Sequence, residues 1–312
     1  MAGHTHTHGH SHHSHARGAS GNILIGSLVL TLAFVAGEAA AGWWAHSLSL
    51  LSDSVHNLTD AFGLLLAAAA FSLETRPGDS VKTFGYQRTG VLAAFVNALL
   101  LVAFSVFIIW ESYLRLRTPE PIQDSVMLWV AAIGLAVNLA IAWALTASQH
   151  SKDLNFRATF LHQIGDAASC VAIIVGAVII RYTGWVMVDP ILSIIMSVVI
   201  IWTAWDIFRD SLNILLEGLP KGLKFADVTE AIRHAAGVEE VHDLHIWSLG
   251  SEDRALSCHL VIQDMPPSES ESILHNVNHI LGDRFGIHHT TIQFEHTRCV
   301  SADDCVGGKR LA

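Results

Sequence analysis

The sequence predicts an α-helical membrane protein: a six-transmembrane-helix bundle followed by a small cytosolic α+β domain of order α-β-β-α-β. Two observations predict it. Of 312 residues, 51% are hydrophobic and only 15% charged, with a mean hydropathy of +0.43, a balance foreign to soluble domains of this size. The charge is also unevenly spread: residues 216–312 hold 15 of the 28 acidic and 8 of the 18 basic side chains. A charge-poor membrane part therefore precedes an acidic, water-facing part. This balance argues against a nucleic-acid partner, which would need a basic stripe to meet phosphates. The twenty histidines point to cations instead: seven lie in the first fifteen residues, nine after residue 230, and only His46, His56, His150 and His162 between.

Six apolar runs, at 22–45, 48–72, 89–113, 124–148, 157–181 and 185–208, each supply the roughly 20 helical residues that a hydrocarbon core of about 30 Å requires. Breakers separate them, as in Arg76-Pro77-Gly78-Asp79 and Arg117-Thr118-Pro119-Glu120-Pro121. Arg17, Arg76, Lys82, Arg88, Lys152, Arg157 and Arg209 flank one side, and Arg115, Arg117 and Arg181 the other. That bias puts both termini in the cytoplasm. The leader lacks the charged-then-apolar order of a cleavable signal peptide, and the scattered Cys170, Cys258, Cys299 and Cys305 suit reduced thiols.

After Pro220 the pattern changes to a helix at 225–236, strands at 238–248 and 255–263, a helix at 268–285 and a strand at 290–295. Two helices on one face of a three-stranded sheet make a small domain, with Trp247 and Phe294 expected in its interior. The expected organisation is a His-rich leader at 1–20, a membrane domain at 21–212, a cytosolic metal-binding and dimerisation domain at 213–296, and a tail at 297–312.

Ionisable groups inside spans are costly unless paired or wetted, so they are functional candidates by default. Two pairs share one spacing: His56-Asn57-Leu58-Thr59-Asp60 in the second run and His162-Gln163-Ile164-Gly165-Asp166 in the fifth. Residues i and i+4 share a helix face. Two such faces opposed offer two imidazole nitrogens and two carboxylate oxygens, a set that suits tetrahedral Zn²⁺. The bland alternative is an interhelical hydrogen bond; one pair alone leaves it open, whereas two copies at overlapping depth disfavour it. Asp53, on the same stripe, and the isolated Glu38, Asn97 and Asn138 read as supporting or cavity-wetting groups, and Cys170 as small packing. A filled tetrahedron leaves no position for a catalytic water, and no His-Glu-x-x-His helix occurs, so an enzyme is disfavoured.

These pairs, with the six-run plan, Thr83-Phe84-Gly85-Tyr86-x-Arg88, Leu215-Leu216-Glu217-Gly218 and Val241-His242-Asp243-Leu244-His245-Ile246-Trp247, resemble the cation diffusion facilitators. The likeness spans roughly residues 20 to 296 and is closest to their zinc-preferring His-Asp/His-Asp branch. It implies zinc export from the cytoplasm in exchange for protons, a homodimer in the lipid bilayer, and a metallochaperone-like C-terminal domain. It also implies discrimination against cadmium, and no second site in the loop between the second and third spans, where Asp79 is accompanied by Lys82 and Tyr86. In the cytosolic domain His242, His259 and Glu295 match metal-ligand positions of the family, Glu271 stands where some members have a bridging His, and His288, Cys299 and Cys305 are candidates to complete a site. Zn²⁺ is thus expected both as transported substrate and as regulatory ligand.

Metal and proton compete for one imidazole nitrogen, which gives the exchange a physical basis. The leader's His4, His6, His8, His10, His12, His13 and His15 form a compositional metal tract with no fixed geometry. Short loops favour the inner membrane of a bacterium. The rival readings are a zinc-gated channel or importer, which needs no proton exchange, and a zinc sensor or scaffold with a structural metal.

Overall fold

The computed structural model describes residues 16–146, 154–251 and 253–297. The leader histidines, Cys299 and Cys305 lie outside the described residues.

Six long helices come first: α1 (Ala16–Ala45), α2 (Leu48–Glu74), α3 (Thr89–Arg117), α4 (Asp124–Thr146), α5 (Leu154–Thr183) and α6 (Val188–Leu215). Among the described residues, five of them, α2 to α6, are long and apolar enough to cross a membrane; α1 carries the first apolar run of the sequence. Several helices outrun their apolar stretch, most clearly α6, which continues through Asp206, Arg209 and Asp210. Hydropathy marks where lipid ends, not where helical hydrogen bonding ends. Trp43, Trp44, Trp143 and Tyr182 stand exposed near helix ends, as aromatic belts do at bilayer interfaces.

The chain forms two compact units, Met1–Ala61 with Ala103–Ile200, and Phe62–Val102 with Ile201–Ala312. In the first, Leu50, Met127, Ala131, Ile173, Ala177 and Val188 build an apolar core from α2, α4, α5 and α6. Small residues bring α4 and α5 close: a Cβ placed on Gly134 would sit 3.2 Å from Cys170 Sγ. The α1–α2 turn is closed by His46 at φ 54°, and Ser47 Oγ accepts from Leu50 N at 3.3 Å, a helix N-cap.

In the second unit, α6 stops where Glu217 adopts φ 58° and Gly218 N donates to Asn213 O at 2.8 Å. A Cβ on Gly218 would fall on the Asn213 amide, which accounts physically for Glu-Gly at this position. Then come α7 (Phe225–Arg233), β1 (Glu240–Ser248), β2 (Arg254–Val261), α8 (Pro267–Phe285) and β3 (His289–Glu295). Strand order is β1-β2-β3, antiparallel then parallel, so α8 is the crossover a parallel pair demands. On α8, Ile273, Val277, Leu281 and Phe285 follow one another at i+4 and are buried. They meet Val228 and Ile232 of α7 and Leu256, Cys258 and Leu260 of β2. Gly286, at φ 63°, ends α8, with Ile287 N donating to Leu281 O. Phe294 packs on this core, as expected; Trp247 does not belong to it. Alternation along β1 sends Ile246 inward and Trp247 to the other face.

Candidate metal centre

On α2, His56 and Asp60 are one turn apart; on α5, so are His162 and Asp166. Their side chains converge. His56 Nε2 lies 3.6 Å from Asp60 Oδ2 and 3.5 Å from Asp166 Oδ1. His162 Nε2 lies 3.0 Å from Asp60 Oδ2 and 3.6 Å from Asp166 Oδ2. The imidazole centroids are 5.8 Å apart at 71°, so neither ring shields the other's nitrogen. Zn²⁺ bonds of about 2.0–2.1 Å set tetrahedral donors about 3.3 Å apart, and the nitrogen–oxygen separations lie near that value, with Asp166 meeting His56 through Oδ1 and His162 through Oδ2. Donor atoms of His56, Asp60 and His162 lie within 4.8 Å of one another; Asp166 is outside that group but within 3.6 Å of both imidazoles. Two carboxylates match the charge of a dication, which makes burial of the set in low dielectric tolerable. Side-chain exposure climbs from 8% at Asp166 and 21% at His56 to 29% at Asp60 and 46% at His162.

Behind the four lies a polar network. Ser169 Oγ sits 2.6 Å from Asp53 Oδ1 and 2.8 Å from the Asp166 carbonyl. Asn57 Nδ2 donates to Glu38 Oε2 at 3.2 Å, and Glu38 faces Asp53. Cys170 Sγ lies 3.9 Å from Asp53 Oδ2 and accepts from Asn138 Nδ2 at 3.7 Å. Glu38 and Asn138 are therefore not isolated, as the sequence suggested; helix packing joins them to Asp53 and Cys170. Asn97 is elsewhere, packed against Gly63.

Sequence reading passed over Asp189, which is fully buried and accepts bonds from Ser47 Oγ, Leu48 N, Ser49 N and Ser49 Oγ. Its signal was available: an acid within the sixth apolar run, beside Pro190. Asp79, in the α2–α3 turn, has Oδ1 occupied by the amides of Val81 and Lys82, both at 2.7 Å, and Oδ2 3.2 Å from Tyr86 Oη. Those hydrogen bonds, the Lys82 amide foremost, hold its carboxyl below the usual range.

A second cluster lies on the cytosolic sheet. His242 and His259 are cross-strand partners. His242 Nε2 is 3.1 Å from Glu295 Oε2, and His259 Nδ1 is 3.0 Å from Glu295 Oε1. A bulge between His242 and His245 puts Asp243 at φ 49°. Its carboxylate thereby lies 3.7 Å from His259 Nε2 and 3.1 Å from His245 Nε2. Asp243 and His245 were not foreseen, because a strict period-2 strand would point Asp243 to the opposite face from His242. His288 precedes β3 and lies against Gly282 of α8, where a Cβ would come within 3.3 Å of its Nδ1, outside the close-packed group of His242, His259 and Glu295. Glu271, on α8, is likewise outside it.

The comparisons with known proteins agree in kind. Residues 24–216 match the model of the cation efflux transmembrane domain, and residues 220–297 that of the cation efflux protein cytoplasmic domain. The "Metal cation efflux system protein CzcD" of Cupriavidus metallidurans is 39% identical, over 92% of this chain and 93% of its own length. The "Zinc transporter ZitB" of Escherichia coli is 39% identical, over 88% and 87%. The "Cadmium, cobalt and zinc/H(+)-K(+) antiporter" of Bacillus velezensis is 38% identical, over 90% of each. With both parts matched and similarity running nearly end to end, the chain belongs to the cation efflux family, the cation diffusion facilitators.

Proposed function

We propose that the protein exports Zn²⁺ from the cytoplasm by proton antiport, through alternating access at the tetrahedral site His56, Asp60, His162 and Asp166. The observation that carries this reading is the set of four separations of 3.0–3.6 Å between imidazole nitrogens and carboxylate oxygens drawn from two spans. Relatives named as zinc transporters and as an antiporter support it. A zinc ligand must be deprotonated, so each imidazole that releases metal can leave carrying a proton. The gradient of exposure fits a site open toward the start of α5 and closed on the side of Asp53, Glu38 and Asp189.

The membrane domain is residues 21–212 and the cytosolic domain 213–296, with both termini in the cytoplasm of a bacterium. The working unit is a homodimer in the inner membrane, a reading supported by the match to the family's cytoplasmic domain. In that domain His242, His259 and Glu295, with Asp243 and His245 beside them, bind regulatory Zn²⁺.

Everted vesicles test the exchange. Zinc uptake should rise when the lumen is made acidic and collapse with a protonophore, and Asp60→Ala and His162→Ala should abolish it. Uptake that ignores the pH gradient would identify a channel instead.

A further inference from the structure

Adjoining the cytosolic cluster through His245, a cavity of about 780 Å³ opens between the α2–α3 turn, the start of α3, the end of α6 and strands β1 and β2. One part of its wall is apolar and poorly covered: Phe84 is 51% exposed, Leu92 50% and Phe225 38%. The other part is cationic and polar. Lys82 is exposed in the turn. Arg88 spends part of its guanidinium on Glu217 Oε1 at 3.2 Å and on the Ser248 carbonyl at 3.4 Å, leaving donors over from its five. Gln87 Oε1 is buried and has no hydrogen-bond partner among the described residues, a costly state for an acceptor.

We propose that this cavity binds the headgroup and upper acyl chains of an anionic phospholipid whose headgroup carries hydroxyls, phosphatidylglycerol in chemistry. Lys82 and Arg88 meet the phosphate; clustered basic groups at a membrane surface select anionic lipid in this way. A headgroup hydroxyl donates to Gln87 Oε1, which a choline headgroup cannot do. Leu92 and Leu99 lie two turns apart on one face of α3, both exposed, and give the acyl chains a track from the cavity into the bilayer. Exposed apolar surface beside fixed cations suits one amphiphile better than water or a soluble anion. A second copy of the chain would cover the apolar part without supplying a phosphate.

The test is native mass spectrometry of the full-length protein in mild detergent, offered equal amounts of phosphatidylglycerol and phosphatidylcholine. Wild type should retain one phosphatidylglycerol per chain in about tenfold preference. Lys82→Glu should lose that preference at unchanged elution volume, and Leu92→Asn should weaken retention of the lipid. Arg117→Glu, at the far end of α3, should behave as wild type. Equal retention of the two lipids, an unaltered preference in Lys82→Glu, or displacement of the lipid by millimolar glycerol phosphate would each overturn the proposal. None of these readouts depends on zinc transport.

Discussion

Asp189 Oδ2 accepts a 2.6 Å hydrogen bond from the backbone N–H of Leu48, so a carboxylate at the head of α6 caps the first turn of α2. The first amides of a helix have no partner within it. Here Leu48 N, Ser49 N and two serine hydroxyls all find one anion. His56 lies about two turns further along the same helix, so the clamp also fixes the height at which it meets α5.

Asp189→Ala leaves those donors buried and unpaired, at about 1–3 kcal/mol each for the backbone groups. The expected result is a thermal midpoint several degrees lower in detergent. Zinc affinity at the membrane site should also weaken by roughly 10–100-fold, the usual scale for outer supports of a metal ligand. Asp189→Asn, which keeps the shape and one acceptor, should lose less. An alanine variant with wild-type melting and wild-type zinc binding would sink the clamp.

Direct ligands and their supports should separate in magnitude. Replacing Asp60 or Asp166 by Asn removes a charge facing both imidazoles, and zinc binding by calorimetry should fall by more than about 100-fold. Ser169→Ala disturbs only the hydroxyl lying between Asp53 and the Asp166 carbonyl, and should cost less. Equal losses in all three variants would argue that the four-residue set is no more special than its surroundings.

Much of this was legible in the sequence because it is written in periodicity. The i, i+4 spacing of His56 with Asp60 and of His162 with Asp166 puts each pair on one face regardless of tertiary context, and the period-2 strands give β1 and β2 to within two residues. What stayed hidden depends on departures from regularity or on long-range packing. Asp243 points toward His259 because a bulge breaks the alternation of β1. Asp189 acts on a turn far away in the chain. His288 follows an αL glycine that ends α8, and that turn sets it against Gly282.

Burial pushes the Cys258 thiol up to about 12, so in the folded state it holds its proton where an ordinary thiol near 9 has lost it. In a chain with Cys170, Cys299 and Cys305 replaced, Cys258 should resist maleimide at pH 8.5 and react promptly in urea. The linkage sign follows. A group with a raised folded-state pKa supports the fold fully below its unfolded value and loses that support as pH rises toward the folded one. Stability of the cytosolic domain should therefore decline between about pH 9 and 12, and Cys258→Ala should flatten that decline. Labelling of the native thiol at the unfolded rate would refute the burial argument.

Gly237 offers the sharpest packing test, because two independent constraints meet there. Its φ is +90°, a region that costs an L-residue roughly 1–2 kcal/mol. A Cβ would also stand 2.5 Å from Ile273 Cδ1, a buried side chain of α8 whose displacement costs about 1–3 kcal/mol. Gly237→Ala should thus lower amide protection across β1, β2 and β3 in hydrogen exchange while leaving the membrane helices unchanged. Ile273→Val removes the Cδ1 methyl, so the double variant should lose less than the sum of the two single losses. Strict additivity would mean that the backbone, and not the contact with α8, demands glycine here.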